Sequence, residues 1–174
     1  DLDATRLVDL GISAFVLLLN IPLALVLAFL IKLDSPGPVI FKQKRVGKNG
    51  KHFLLYKLRT MVDGAEKDTG PIWALFNDPR ITKVGKFLRR WRLDEIPQFW
   101  NVLKGDMSLI GPRPERPHFV TLLEKEIPFY PLRHQMKPGI TGWAQVNLLY
   151  HSNMDEAKIK FQYDLWYIQN HSLL

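Results

Sequence analysis

The chain has 174 residues, 47% of them hydrophobic, which is enough for one domain with a core of its own and excludes a disordered chain. It contains no cysteine, so disulfides, thiolate zinc sites and cysteine nucleophiles are excluded. A net charge of +7 calls for an anionic partner: nucleic acid, anionic lipid or a phosphorylated substrate.

From Leu10 to Ile31 there is no charged residue. The 22 residues would make about 33 Å of helix, the length of a membrane span. The preceding "DLDATR" is acidic on balance, and no small-residue cleavage site follows, so this is not a signal peptide. Asn20 and Pro22 interrupt the run near its middle. Proline lacks the N–H donor and clashes with the preceding turn, so the helix must kink into two pieces of about two to three turns. Either a kinked helix spans the bilayer, or a helix–break–helix enters and leaves by one face. The second requires local partners for the freed backbone groups, and Asn20 is a candidate. Lys32, Lys42, Lys44, Arg45, Lys48 and Lys51 follow, which favours a cytoplasmic location against anionic lipid.

The next stretch, "DSPGPVIFKQKRVGKNGKHFLLYKLRTM", reads as a hairpin. Val39–Arg45 is one strand, Gly47–Gly50 the turn and His52–Met61 the return. Alternation puts Phe53, Leu55, Lys57 and Arg59 on one face, so Lys57 and Arg59 are either a solvated pair or phosphate ligands. Residues 62–80 are polar and read as a loop. In "RITKVGKFLRRWRL", Ile81, Val84, Phe87, Leu88 and Trp91 form one apolar stripe of a basic amphipathic helix. That helix either lies on a membrane surface or aims an arginine such as Arg89 at a phosphate.

A second helix is expected from "EIPQFWNVLKG", with Ile96, Phe99, Trp100 and Leu103 packed and Gly105 at its end. Pro97 fits its first turn and Asp94 its N-cap. Capping and chemistry are compatible here. Backbone N–H groups at a helix start hold a carboxylate ionised and also bind phosphate. "GDMSLIGPRPERPHF" reads as a rigid extended loop that fixes Arg113 between two prolines, as phosphate recognition or a structural loop would both allow. A short amphipathic helix over 118–130, the segment "MKPGITGWAQVN" and a closing aromatic-bearing helix over 155–171 complete the chain. The five histidines have no zinc-site spacing. The ends, Asp1 and an apolar "SLL", read as those of a fragment.

Two adjacent acids among cations point to phosphate chemistry, with Mg²⁺ holding a diphosphate. A carboxylate can also act as a nucleophile toward phosphorus. Three blocks carry a more specific message: "SPGPVIFKQKRVGKNGKHFLLYKLRTM", "DPRITKVGKFLRRWRLDEIPQFWNVLKGDMSLIGPRP" and "KPGITGWAQV". In this order they resemble the bacterial sugar transferase family, the monotopic polyprenol-phosphate phosphoglycosyl transferases. The resemblance covers nearly the whole chain.

The resemblance implies an α+β, mainly helical chain. A re-entrant membrane helix over 1–33, broken at Asn20 and Pro22, would precede a cytoplasmic, membrane-associated catalytic domain over 34–174 with surface amphipathic helices and a small β-hairpin. The family's break follows a serine; here the proline matches and the serine does not. The implied reaction moves a sugar-1-phosphate from a UDP-sugar to undecaprenyl phosphate, releasing UMP. It would be the first membrane step of exopolysaccharide, capsule, O-antigen or glycoprotein glycan synthesis. Asp94 would attack the β-phosphate in a ping-pong reaction, with Glu95 as its partner acid. Both would serve the required Mg²⁺. Lys57, Arg89 and Arg113 would contact phosphate or nucleotide, joined by Arg59 from the strand pattern. The expected partners are UDP-sugar, undecaprenyl phosphate and membrane phospholipid, with a homodimer allowed and no nucleic acid. The expected location is the cytoplasmic face of the bacterial inner membrane. The alternative is a non-catalytic basic module on the membrane surface.

Overall fold

The computed structural model describes residues 2–67, 70–72, 78–148 and 154–171. The helices are α1 (Leu2–Leu19), α2 (Ile21–Asp34), α3 (Lys83–Arg90), α4 (Gln98–Lys104), α5 (Pro117–Glu126), α6 (Trp143–Asn147) and α7 (Met154–Asn170). The strands are β1 (Ile40–Val46), β2 (His52–Leu58), β3 (Ser108–Ile110) and β4 (Gly139–Thr141). The chain is therefore mixed and mainly helical, as its patterning implies.

The apolar run becomes α1 and α2, bent by 59° at Asn20. Both pieces are longer than the uncharged run required, because α1 starts at Leu2 and takes in Arg6 and Asp9. Pro22 sits in the first turn of α2, where its missing N–H removes no helical bond. The Asn20 side chain donates to Val16 O at 2.8 Å, so it supplies one bond at the break. Leu7, Phe15, Leu18, Leu25, Phe29 and Leu33 remain exposed along the pair. Among the described residues no single helix is long and apolar enough to cross a membrane; the bent pair together has the length and composition.

The expected hairpin forms, with Val46 opposite His52 and Ile40 opposite Leu58. Its turn uses left-handed backbone at Asn49 and Gly50. The return strand stops at Leu58 rather than Met61. Beyond it Thr60 O accepts from Thr82 N, and Met61 pairs with Ile81, so the chain has left β1 for the segment that starts α3. Each face of β2 buries one residue, while His52 and Leu54 stay exposed. Leu55 packs with Val102 and Met107, and Leu58 with Leu27, Ile31 and Leu88. The free edge of β2 is closed by the fully buried Asn101, which accepts from Tyr56 N–H and donates to Leu54 O at 2.7 Å. A single amide thus replaces a third strand.

Two expected helices have different faces from those the spacing suggested. In α3 Leu88 is buried, but Phe87 and Trp91 are exposed. Gly85 takes the inward position because a Cβ there would lie 2.0 Å from Thr60 O. In α4 the buried positions are Gln98, Asn101 and Val102, while Trp100 is exposed. Asn101 is inward because its amide meets strand backbone, while Val102 beside it packs with Leu55 and Met107. The loop expected around Arg113 opens with β3, which pairs in parallel with β4. Three-residue strands carry no readable alternation. Glycines let these segments touch: a Cβ on Gly139 would lie 2.1 Å from Gly111 N. The loop expected over 62–80 is only partly described; 68–69 and 73–77 lie outside the described residues, as does His151.

α5 and α7 close the core, where Val46, Phe119, Val120, Leu123, Ile127, Tyr130 and Phe161 pack together. Of the aromatics on α7, Phe161 is buried, whereas Trp166 is exposed and stacks on Trp143. Beside the core, burial pushes the His134 imidazole down to about 4 from its ordinary 6.5, and the Arg133 cation adds to this. Its Nε2 is buried without a hydrogen-bond partner. Between those two values the unfolded chain takes up a proton that the folded chain refuses. Stability is therefore full above pH 6.5 and declines as pH falls toward 4. We expect His134→Gln to flatten the fall in thermal midpoint between pH 6.5 and about 4.5, where carboxylates begin to titrate.

Candidate active site

The site is built where α3 hands over to α4. Arg92 takes a left-handed conformation (φ 53°), which ends α3 and turns the chain sharply. A short 3₁₀ turn, Leu93–Glu95, then carries both acids inward. Asp94 is 7% exposed and Glu95 8%. Asp94 does not cap a helix as expected: α4 begins at Gln98 after Pro97, and no side chain caps it. Proline at that junction leaves one fewer N–H to cap.

The carboxylates face the end of β2. Lys57 Nζ lies 3.0 Å from Glu95 Oε1 and 3.8 Å from Asp94 Oδ2. Arg113 Nη2 reaches the same Glu95 oxygen at 3.2 Å, and Arg92 Nη1 stands 3.8 Å from the other. Arg89 donates from Nε to Thr60 Oγ1 at 2.9 Å, and its charge lowers the Asp94 pKa. Lys57, Arg89, Arg113, Asp94 and Glu95, singled out from the sequence, therefore line one cavity of about 860 Å³.

Arg59 borders that cavity, but its guanidinium is engaged elsewhere. It donates to Ser35 O at 2.7 Å, to Pro36 O and to Ile31 O, and so closes the C-terminal end of α2. The Arg59 backbone N–H still donates to Val39 O at 2.8 Å, continuing the hairpin register, while the side chain turns to the end of α2. Gly37, at φ 116°, lets the chain wrap around this guanidinium.

Other lining residues were not singled out. Arg116 grips Glu66 with two bonds of 2.7 and 2.8 Å, and Arg45 donates to Pro114 O. Glu115 pairs with Lys160 and stands 4.0 Å from Arg45. Arg116 and Glu115 directly follow Gly-Pro-Arg-Pro, so the signal was the continuation of that motif. Arg113 also has a hidden support. Its carbonyl accepts from Arg133 Nη2 at 3.0 Å, and Arg133 forms a buried pair with Asp164 of α7 at 2.6 Å. The sequence separation of 31 between these partners hides the pair from any local reading.

The two acids have unlike electrostatics. Burial pushes the Asp94 carboxyl above its ordinary 3.8, opposed by Lys57, Arg89 and Arg113. Glu95 is also desolvated, but Lys57 and Arg113 hold it down at about 2, so it stays ionised. Burial lowers Lys57, reinforced by the Arg113 cation and opposed by Glu95 and Asp94. A permanently charged Glu95 thus braces two cations beside a carboxylate that is less tightly engaged.

A bound metal can be tested against these residues. Among the described residues no three His, Asp or Glu side chains converge. Both Glu95 oxygens face cations, and Lys57 Nζ stands 3.8 Å from Asp94 Oδ2. The pair fits an ion such as Mg²⁺ that takes one or two carboxylates and completes its shell with substrate phosphate and water.

Residues 2–174 match the family model described as "Bacterial sugar transferase". The chain belongs to the bacterial sugar transferase family. It is 54% identical over 152 residues to an Aeromonas hydrophila protein named UDP-N-acetylgalactosamine-undecaprenyl-phosphate N-acetylgalactosaminephosphotransferase, covering 87% of this chain and 36% of that one. It is 44% identical over 170 residues to UDP-glucose:undecaprenyl-phosphate glucose-1-phosphate transferase of Escherichia coli, covering 97% and 36%. A Rhizobium leguminosarum "Exopolysaccharide production protein PSS" is 43% identical over 182 residues, covering 100% and 90%. The chain thus spans about a third of the first two relatives and nearly all of the third.

In this bacterial sugar transferase, the Arg113 carbonyl is held by Arg133, whose buried guanidinium donates twice to Asp164 Oδ2. Asp164→Ala would leave Arg133 buried without that partner, at a cost of roughly 3–5 kcal/mol. Denaturant unfolding of the purified protein checks this.

Proposed function

We propose that this chain carries the catalytic unit of an enzyme that transfers a sugar-1-phosphate from a UDP-sugar to undecaprenyl phosphate. The observation that carries the reading is Asp94, a desolvated carboxylate facing one cavity with Lys57, Arg89 and Arg113. The names of the Aeromonas hydrophila and Escherichia coli relatives support the substrate classes. The rival, a basic surface module, is less favoured, because these cations surround two buried acids instead of forming an open basic stripe.

In this reading a UDP-sugar places its diphosphate among Lys57, Arg89 and Arg113. An Asp94 carboxylate oxygen attacks the β-phosphorus. The bond from that phosphorus to the oxygen bridging it to the α-phosphate breaks, and UMP leaves with the electron pair. Lys57 and Arg113 stabilise the departing charge, and Glu95 keeps both cations in place. A phosphate oxygen of the lipid acceptor then attacks the same phosphorus, the bond to Asp94 breaks, and the carboxylate is regenerated. Donor and acceptor use the site in turn, so ping-pong kinetics follow. Mg²⁺, held by Asp94 with Glu95 at its flank, would neutralise diphosphate charge.

The helix pair suits a re-entrant membrane element on the cytoplasmic face. Its 59° bend, the bond from Asn20 to Val16 O and its exposed apolar side chains support this. The absence of native cysteine allows single reporters. Thr5→Cys and Lys32→Cys should both label from the cytoplasmic side; labelling from opposite sides would identify a spanning helix.

The catalytic reading is tested with radiolabelled UDP-N-acetylgalactosamine and UDP-glucose. The wild type should form a phosphosugar adduct, release UMP and pass the sugar phosphate to undecaprenyl phosphate. Asp94→Asn should form no adduct and lose at least about 10³-fold in turnover, as expected for a removed nucleophile. An undiminished adduct on that variant would exclude Asp94 as the attacking group.

A further inference from the structure

Arg6, Asp9 and Ser13 lie three and four residues apart and share one face of α1. Asp9 and Ser13 are buried, although the opposite face exposes Leu7, Phe15 and Leu18. Arg6 forks across two peptide carbonyls in the last turn of α4. Nη1 donates to Val102 O at 2.6 Å and Nη2 to Leu103 O at 2.8 Å. Val102 O also accepts from Gly105 N–H at 2.9 Å, so the fork adds a second bond there, supplies one at Leu103 in a turn whose last carbonyls lack helical partners, and meets the negative pole of α4. Asp9 Oδ1 accepts from Leu109 N–H at 3.0 Å, in the middle of β3.

The two segments held this way both lead to the site. α4 follows Asp94 and Glu95 after only Ile96 and Pro97, and β3 runs through Gly111 and Pro112 into Arg113. One turn of the apolar helix pair thus grips the two chain segments that carry the carboxylates and the arginine. α2 has a separate attachment: Arg59 closes its C-terminal end, and Asp34 Oδ2 accepts from Val84 N–H at the start of α3. Loss of the α1 grip would leave the pair tethered.

We propose that Arg6 and Asp9 are positioning residues that set the height of Asp94 and Arg113 relative to the lipid plane, and so govern use of the lipid-linked acceptor. This rests on the transfer reaction proposed above. The two substrates differ in where they can meet the site. A water-soluble donor reaches Asp94 at any height. The phosphate of a polyprenyl acceptor is held in the headgroup plane by its chain, so misplacement of about 1 Å is costly for that substrate alone. A clamp that merely stabilised the fold would weaken both half-reactions together.

The full-length protein is assayed in phospholipid nanodiscs with UDP-N-acetylgalactosamine or UDP-glucose, whichever the wild type turns over. Arg6→Ala and Asp9→Ala should form the adduct at the wild-type rate, while the KM for undecaprenyl phosphate rises about tenfold or more. With a short-chain, water-soluble prenyl phosphate as acceptor, both variants should match the wild type. Asp9→Asn keeps an oxygen for Leu109 N–H and should restore the wild-type KM. An unchanged KM, an equal rise with the soluble acceptor, or a parallel fall in adduct formation would overturn the proposal. If Arg6→Ala does not accumulate, Arg6→Lys, which keeps the charge but loses the fork, is judged by the same comparison. A wild type that forms neither adduct nor lipid-linked sugar defeats the transfer reaction itself, a result distinct from a failure of the clamp.

Discussion

The apolar helix pair and the domain that carries the carboxylates are joined through helix ends. Each α-helix leaves peptide groups at its termini without partners, and leaving them buried and unpaired costs free energy. Here charged side chains from the opposite unit satisfy them. Arg59 closes α2, Asp34 meets the first turn of α3, and Arg6 closes α4. Apolar contact adds to this where Leu27 and Ile31 pack with Leu58 and Leu88. Contact of that kind is non-directional. The ion-to-peptide bonds are directional and fix the register between the two units.

Glu95 pairs with both Lys57 and Arg113 and holds them within reach of a neighbouring carboxylate. Without it those cations would close on Asp94. The left-handed turn at Arg92 makes this possible by sending both acids inward after a basic helix. Behind Arg113, the buried pair of Arg133 and Asp164 carries the same logic out to α7. The cavity is thus shaped by alternating charges that fix one another, and a diphosphate entering it would find preorganised cations.

Most of the architecture was legible because it depends on local pattern. The hairpin announced itself by alternation around Gly-Lys-Asn-Gly, and α7 by its length and periodicity. Lys57, Arg89 and Arg113 were legible as candidate ligands because each stands in a recognisable block. Alternation places Arg59 at the cavity with Lys57, but does not reveal the bonds of its guanidinium to the end of α2, whose partners lie 24 and 28 residues away. The stripe in α3 misassigned Phe87 and Trp91, because Gly85 rather than a large residue faces Thr60 O. Arg6 and Asp9 were overlooked at the rim of the apolar run, although their spacing on one helix face was visible.

By itself the sequence determined the broken apolar helix, the hairpin, the adjacent acids and the family, since each is a matter of residue order and short spacing. Tertiary structure alone decided what every charge is for. Arg59 closes the end of α2 while bordering the cavity, Asp94 is a turn residue and not a cap, and Asn101 is the missing neighbour of β2. The physical reason is distance along the chain. Arg6 and Val102 are 96 residues apart, and Asn101 and Tyr56 are 45 apart. Hydrogen bonds of this kind leave no periodic trace, and only packing brings their partners together.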